Sequence, residues 1–403
     1  MKSISTILAT VLLVIIVVAI VGLTYTFSVT LFQQATGGAT NQTQQVISNL
    51  GQQLRIEAVS GNNITVRNIG PQVVNLTMIG VFLDDIQVNF IPDSSIISPL
   101  ALATLTLQRN GAIGNIKIVT GASSISTQGP SVTIYPISEI ETLNNNWACA
   151  KKMYVLENKK IKLFTGIPPI INSSVLNACN DLDTNRDIYV ASPLKIWTKN
   201  SDSPTYRFNQ SILDDTSFKN ESNIASFNFS AIENISVSLS GSSAIIKYIG
   251  TIASSLEPEV KYTLNADKNY VKVEFSVTRT TSSPTAVRLR WTGDTDPPAG
   301  TWRTGEGLTK IQGAAANLET QTWIAFIPST KNDVLGIIAG PDVEVNNTQF
   351  DSFAYIRRKT PETLNLNQKS TLIFYMISDF KGPIGNEWKP VEDAYNEILT
   401  SGG

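Results

Sequence analysis

One stretch of this chain, Ile4–Phe32, constrains the fold more than any other. The sequence contains no charged residue between Lys2 and Arg55, and most of Ile7–Leu23 is Leu, Ile, Val or Ala. Charged side chains are costly in a bilayer, so a long run without them is typical of a membrane helix. As a helix the stretch would be about 45 Å long, against a hydrocarbon core of about 30 Å. We therefore predict a membrane helix that tilts, projects beyond the membrane, or packs lengthwise against copies of itself.

The first residues combine a short basic head, Met1-Lys2, with one small residue, Ser3, and an apolar run that begins at Ile4. In these residues the chain resembles the N-terminus of an archaeal type IV pilin or archaellin. The resemblance implies a class III signal peptide cut between Ser3 and Ile4, after which the helix builds a filament core with other pilin-like subunits. Ser3 departs from the glycine that usually precedes the cut, whereas Leu8, in place of the glutamate of bacterial pilins, favours the archaeal branch. The alternative is an uncleaved signal anchor.

Composition excludes several function classes. The formal net charge is −2, which gives no reason to expect nucleic acid as a partner. The chain contains no histidine, so catalytic triads with a histidine base and zinc sites with histidine ligands are excluded. We predict a protein that is not an enzyme and has no cofactor, apart from the calcium ion considered below.

The rest of the chain predicts a mainly β protein. Residues 1–53 form the helix and a polar hinge, and residues 54–137 contain about seven short strands, typical of a small immunoglobulin-like β-sandwich. Within them, Val66–Leu76 resembles the strand-turn-strand of archaeal pilin and archaellin heads. Residues 138–403 predict a larger β-sandwich, with a hairpin over Tyr262–Thr278 and a short C-terminal helix that has Pro390 in its first turn. The order of its hairpins resembles the mutarotase-like β-sandwiches of carbohydrate-active proteins, an analogy of fold that confers no activity.

A first candidate site is a set of alternating oxygen ligands. Calcium takes six to eight such ligands, and the segment supplies Asp181, Asp183, Asn185 and Asp187. Arg186 stands where a calcium loop has glycine, and Ser192 stands where it has its last carboxylate. The alternative is a polar turn held by hydrogen bonds from its Asp and Asn side chains.

A second candidate site is a loop rich in glycine and proline. Aromatic faces beside carboxylates and a guanidinium are suited to binding sugars, and two nearby carboxylates can hydrolyse glycosides. The residues are Trp291, Asp294, Asp296, Trp302, Arg303 and Glu306. The alternative is that both tryptophans cap the core of the sandwich and the acids are solvated.

Nine Asn-x-Ser/Thr sequons are present. On an extracellular protein they predict glycosylation, at Asn41, Asn63, Asn75, Asn172, Asn209, Asn220, Asn228, Asn234 and Asn346.

Together these features predict a pilin-like structural subunit of an archaeal type IV pilus-like filament, with an adhesive head. The N-terminal helix would anchor it in the cytoplasmic membrane, and the C-terminal domains would lie outside the cell. Its partners would be the membrane, other pilin-like subunits and surface glycans. The alternative is a monomeric, helix-anchored surface protein that binds carbohydrate or degrades polysaccharide. Cleavage before Ile4 would distinguish the two.

We expect Cys149 and Cys179 to form a disulfide, because they are the chain's two cysteines and the predicted domain faces an oxidising compartment. The alternative is two buried thiols. In the chain-entropy model, closing a loop of this length stabilises the fold by about 3 kcal/mol. Peptide mapping without reduction should find the two cysteines in one linked peptide, and finding both thiols alkylated would contradict the prediction.

Overall fold

A computed structural model of the chain forms two compact units. One comprises Met1–Ala58, Ile64–Thr106 and Lys117–Thr127, and the other Val59–Asn63, Leu107–Ile116 and Gln128–Gly403. The residues described are 11, 13–14, 16–30, 51–108, 111–121, 123–137, 152–167, 193–198, 206–209, 218–220, 222, 225–226, 232–240, 242–250, 255–295, 300–311, 318–330, 332–347 and 353–401.

Residues 11, 13–14 and 16–30 are helical. Among the described residues no helix is long and apolar enough to span a membrane. This finding contradicts the predicted transmembrane helix and the predicted anchoring of the chain in a membrane by it. The predicted processing residues Lys2, Ser3 and Ile4 lie outside the described residues.

The first unit consists mainly of short strands. They are β1 (Leu54–Ser60), β2 (Asn63–Asn68), β3 (Val74–Asn75), β4 (Gly80–Leu83), β5 (Ile86–Val88), β6 (Phe90–Pro92), β7 (Ile96–Ile97), β8 (Leu102–Leu107), β9 (Asn115–Thr120) and β10 (Ser123–Gln128), with a 3-10 turn at Leu76–Met78.

Two four-stranded sheets form from these strands, in the orders β1-β2-β8-β6 and β10-β9-β4-β5, and β3 pairs with β7. Alternate residues are buried along both sheets, such as Ile64 and Val66 in β2 and Ile116 and Ile118 in β9. A strand whose every second residue is buried presents one apolar face, as in packed sheets. The sheets are therefore consistent with the small β-sandwich predicted from the sequence.

The second unit continues with β11 (Val132–Ile137), β12 (Lys152–Asn158), β13 (Ile161–Ile167), β14 (Pro193–Thr198), β15 (Tyr206–Asn209), β16 (Phe218–Asn220), β17 (Ala225–Ser226), β18 (Ile232–Ser240), β19 (Ser243–Gly250), β20 (Leu256–Asn265) and β21 (Tyr270–Arg279). It ends with β22 (Thr285–Val287), β23 (Leu289–Thr295), β24 (Gly300–Thr304), β25 (Thr309–Ile311), β26 (Leu318–Gln321), β27 (Trp323–Pro328), β28 (Asp333–Ala339), β29 (Val343–Asn347), β30 (Phe353–Arg358), β31 (Glu362–Leu364) and β32 (Lys369–Phe380).

Most of these strands belong to two large sheets. The eleven-stranded sheet has the order β11-β12-β13-β14-β15-β23-β30-β29-β26, with β16 beside β23 and β17 beside β16. The nine-stranded sheet has the order β18-β19-β20-β21-β32-β28-β27-β24-β25, and β22 pairs with β31. One apolar cluster takes residues from both, for example Leu163 and Ile356 from the first and Tyr262 and Phe275 from the second. The two sheets therefore pack face to face as a larger sandwich.

The strand β11 lies in the second unit. It pairs along its whole length with β12, from Val132 opposite Asn158 to Ile137 opposite Met153. The domain bounds 54–137 and 138–403 stay a prediction.

The predicted hairpin is confirmed, as β20 and β21 pair from Leu256 opposite Arg279 to Leu264 opposite Val271. In β20 every second residue is buried, including Val260, Tyr262 and Leu264. The period of two places these side chains in the core and the intervening ones on the outer face.

The predicted C-terminal helix is also confirmed, over Lys389–Ser401. Val391, Ala394 and Ile398 are buried on the outer side of the nine-stranded sheet, whereas Leu399 is exposed. The helix approaches β28 closely at Gly336, where an added Cβ would lie 2.6 Å from the methyl carbons of Val391.

Asn158, at the end of β12, links the two large sheets. Its amide group donates to the carbonyl oxygens of Asn265 and Lys268, each at 2.6 Å, in the turn between β20 and β21. Its side-chain oxygen accepts from the backbone N–H groups of Lys160 and Ile161, at 2.7 and 2.9 Å. The side chain is fully buried, and its hydrogen bonds are buried or partly buried.

We expect Asn158→Ala to lower the free energy of unfolding by about 2 kcal/mol, because it leaves buried backbone groups without partners. Urea unfolding followed by circular dichroism would measure the change. The exposed Asn365→Ala is the control and should change the stability by less than about 0.5 kcal/mol. Equal effects of the two substitutions would contradict the role assigned to Asn158.

Candidate functional site

The alternation along β23 decides which residues of the predicted sugar-binding loop are accessible. Leu289 and Trp291 are fully buried, and Arg290 between them is partly exposed. The Trp291 ring stacks on Phe374 of the other sheet, with centroids 5.0 Å apart and planes at 28°. Trp291 is therefore a core residue, and it offers no face to a ligand. Asp294 lies further along β23, opposite Phe353 of β30.

Trp302 is likewise a core residue, in the nine-stranded sheet. It is 1% exposed and packs on Phe326, with ring centroids 4.9 Å apart. Its neighbour Arg303 lies on the outer face, where its guanidinium carbon is 4.4 Å from the centroid of the Trp388 ring. Arg303 Nη1 donates to Thr309 Oγ1 at 2.8 Å. Arg303 thus makes a cation–π contact that holds the segment before the C-terminal helix.

The structure therefore does not bring the described members of this predicted set together at one binding edge. Trp291 and Asp294 belong to the eleven-stranded sheet, whereas Trp302 and Arg303 belong to the nine-stranded sheet. Glu306 is exposed in the turn between β24 and β25, and Asp296 lies outside the described residues. The physical reason is that both tryptophans fill the core, as the alternative interpretation anticipated.

Charged residues cluster instead on the outer side of β23, β30 and β29. Arg290 is directly opposite Arg357, and Arg357 is directly opposite Glu344. Arg288 immediately precedes β23 and approaches the same carboxylate. We call these four residues, Arg288, Arg290, Glu344 and Arg357, the arginine face.

Glu344 is the centre of the arginine face. Its Oε1 atom accepts a short hydrogen bond from Arg357 Nε, and Arg288 Nη2 lies 3.7 Å away. The side chain of Glu344 is 8% exposed, whereas those of Arg288 and Arg357 are 23% and 28% exposed. The carboxylate is therefore nearly buried beneath guanidinium groups that still reach solvent.

Backbone carbonyl groups fix one of these guanidiniums. Arg288 Nε donates to the carbonyl oxygen of Arg358 at 2.9 Å, and Arg288 Nη2 donates to that of Lys359 at 3.1 Å. The backbone N–H of Arg288 in turn donates to Asn220 Oδ1 at 2.9 Å. The position of Arg288 is consequently set by the sheet and by the turn after β30.

None of these four residues was predicted from the sequence, in which the tryptophans of the same region were the candidates. The signal that would have found them is the period of two around Trp291, since Arg288 and Arg290 flank the apolar Leu289. In a strand with one buried face, such arginines must lie on the opposite face.

The outer face of the nine-stranded sheet has a different charge pattern. Its lysines and glutamates pair across neighbouring strands, with Lys247 Nζ 3.1 Å from Glu259 and Lys261 Nζ 2.6 Å from Glu274. Lys369 Nζ also lies 3.1 Å from Glu259. These pairs balance opposite charges on an exposed face, which is the usual arrangement on a solvated sheet.

The predicted glycosylation sites differ in accessibility. Asn63, Asn75 and Asn234 are exposed, whereas Asn220 and Asn346 are buried. Asn220 Nδ2 donates to the carbonyl oxygen of Ala286 at 3.1 Å, so a glycan on that nitrogen is incompatible with the folded chain. The side chain of Asn209 in β15 is not described, and Asn41, Asn172 and Asn228 lie outside the described residues.

The predicted calcium ligands and the predicted disulfide cannot be located in the fold. Asp181, Asp183, Asn185, Asp187, Cys149 and Cys179 all lie outside the described residues. Within the part of the chain that is described, no group of three or more His, Cys, Asp or Glu residues could hold a metal ion.

Comparisons with solved structures find similarity to carbohydrate-active β-sandwiches. A galactose mutarotase-like protein from Clostridium acetobutylicum matches with a TM-score of 0.37 and 8% identity, over 62% of this chain and 99% of the other. One from Lactobacillus casei matches with a TM-score of 0.33 and 12% identity, over 56% and 99%. The galactosidase domain of an alpha-galactosidase-sucrose kinase matches with a TM-score of 0.39 and 9% identity, over 57% of this chain.

The chain spans 41% of the length of that last protein. No protein-family model matches the chain, and no curated protein matches its sequence. TM-scores this low assign neither a family nor an activity. The comparisons give no support to the resemblance to pilins, and the predicted assignment to a type IV pilus is withdrawn with the transmembrane helix.

The pKa of Glu259, on the outer face of the nine-stranded sheet, predicts how the stability of the fold depends on pH. Partial burial raises the pKa of Glu259, but hydrogen bonds from Lys247 and Lys369 outweigh burial and hold the pKa below the ordinary glutamate value. Since the folded pKa is the lower one, the stabilisation is present above the unfolded pKa and is lost as pH falls through the folded pKa.

We therefore expect Glu259→Gln to lower the free energy of unfolding at about pH 7, and the difference from the wild type to vanish at about pH 2. Urea unfolding at both pH values would measure it. Glu257→Gln, two residues earlier in the same strand, is the matched control. A destabilisation by Glu259→Gln that is independent of pH would show that the ion pairs are not its cause.

Proposed function

We propose that this chain is a carbohydrate-binding protein whose ligand lies on the arginine face of the larger sandwich. The observation that carries the proposal is the row Arg290–Arg357–Glu344 across three neighbouring strands, with Arg288 beside it. A row of this kind places several partly exposed guanidinium groups on one face of the sheet, which suits a ligand with many oxygen atoms.

The rigidity of the face supports binding. The three strands are adjacent in the eleven-stranded sheet, and each has a paired strand on both sides; their inner residues Leu289, Trp291 and Ile356 are fully buried. Side chains placed on such a scaffold lose less conformational entropy when a ligand binds than side chains on a loop. Little of the interaction energy is therefore lost in ordering the site.

These residues favour binding of a saccharide without its cleavage. Glycoside hydrolysis requires one carboxyl group that donates a proton and a second that acts as base or nucleophile. The arginine face as defined contains a single carboxylate, that of Glu344, which Arg357 holds and Arg288 approaches. We therefore propose a binding role rather than a polysaccharide-degrading one.

Affinity electrophoresis of the full chain in gels that contain single polysaccharides would test the proposal. We expect at least one polysaccharide to retard the wild type and Arg290→Ala to remove most of that retardation, because it loses a guanidinium from the face. Lys261→Ala is the matched control, since it removes one positive charge from the outer face of the other sheet.

An absence of retardation by neutral and acidic polysaccharides alike would contradict the proposal. Release of reducing ends from the retarding polysaccharide would instead support a degrading enzyme. Circular dichroism of each variant would check that it is folded.

A further inference from the structure

We infer that a second copy of this chain pairs with β18, an edge strand of the nine-stranded sheet, in an antiparallel arrangement about a two-fold axis. β18 is the first strand in the order of that sheet, and among the described strands it pairs with β19 alone. A strand with one neighbour leaves a row of N–H and C=O groups that can pair with another chain. β18 belongs to a different sheet from the arginine face.

Two apolar side chains of β18 are exposed on the side of the sheet that faces the core. Val237 and Leu239 lie directly opposite Ile246 and Ala244 of β19, and both of these partners are fully buried. Residues that are direct partners on neighbouring strands point to the same side of a sheet. Val237 and Leu239 are nevertheless 44% and 51% exposed. The apolar core face therefore extends along β18 beyond the part that the described residues cover.

The other outermost strands of the two large sheets have features that oppose pairing with another chain. β25 has three residues and includes Lys310, β26 has four residues with Glu319 and an irregular register, β17 has two residues, and β11 contains Pro136. Short length, charge, irregular pairing and proline are the usual protection of sheet edges. β18 has nine residues, and after Glu233 its stretch Ile235–Ser240 contains neither a charge nor a proline.

The sequence of β18 matches itself when two copies run antiparallel about an axis at Ser238. Ser236 is then opposite Ser240 of the second copy, and Val237 is opposite Leu239 of the second copy. Hydroxyl groups meet on the outer face and apolar side chains meet on the core face, and cross-strand pairs of both kinds stabilise a sheet. A shift by one residue would place apolar side chains beside serines, so the alternation specifies this register.

The uncharged stretch also favours a second copy over a charged partner. Two copies of a charged strand would repel each other, whereas Ile235–Ser240 carries no charge that could repel its copy or attract a charged strand. The interface is isologous, because the same strand serves on both copies, and it closes after two copies. The expected assembly is therefore a dimer, in which Val237 and Leu239 of both copies become buried.

Size-exclusion chromatography of the full chain with multi-angle light scattering tests the inference. We expect the wild type to have twice the mass of Val237→Lys and of Leu239→Lys under the same conditions, because lysine on an edge strand opposes pairing with another chain. Leu366→Lys should keep the wild-type mass. It is the matched control, since Leu366 is 48% exposed and lies between β31 and β32. The unfolding midpoint of each variant shows whether it is folded.

Amide hydrogen exchange locates the contact. In the wild type, exchange in a peptide that covers residues 232–240 should slow as the protein concentration rises, because a larger fraction of β18 is then paired. A peptide that covers β11, the edge strand with Pro136, should exchange at a rate that does not depend on concentration. Val237→Lys should remove the concentration dependence from the peptide of β18.

Three results would overturn the inference. If the wild type and both folded lysine variants have equal masses, any association uses another surface of the chain. If the wild type is larger than twice the mass of the variants, the contact does not close as an isologous pair must. If exchange in β18 is independent of concentration, no second copy pairs with it, and the edge is left to a strand of a different protein.

Discussion

The larger sandwich depends on the burial of one apolar face from each of its two sheets. Each strand contributes every second residue to that shared core, so Trp291, Phe374, Trp302 and Phe326 meet there in aromatic pairs. Burial of large aromatic side chains is among the strongest stabilising terms available to a β domain. Because these residues point inward, the residues that alternate with them along each strand must lie on the outer faces of the sheets.

This alternation separates core residues from candidate functional residues along the same strand. Arg290 is the immediate neighbour of Trp291, yet the two side chains lie on opposite faces of the sheet. The same rule gives the nine-stranded sheet its outer row of paired lysines and glutamates. The two outer faces of one sandwich therefore differ in chemistry, although both arise from the same alternation. The concentration of guanidiniums on one of them is what makes it the candidate ligand site.

Hydrogen bonds align the two large sheets with each other, which apolar contacts alone do not do. Asn158 satisfies four backbone groups at once and ties the turn after β12 to the turn between β20 and β21. Apolar packing is not directional, whereas each of these hydrogen bonds requires a defined distance and angle. A single buried amide can therefore fix how two hairpins from different sheets align.

The sequence by itself determined the mainly β class, the hairpin of β20 and β21 and the C-terminal helix, because each rests on local periodicity and turn chemistry. It did not determine the transmembrane helix predicted from the apolar run, because no helix among the described residues is long and apolar enough to span a membrane. Nor did it determine the candidate site. Arg290 is far from Glu344 and Arg357 in the chain, and only the pairing of β23 with β30 makes it their neighbour. Pairing depends on contacts between distant segments, so the tertiary structure alone decided which side chains share a face.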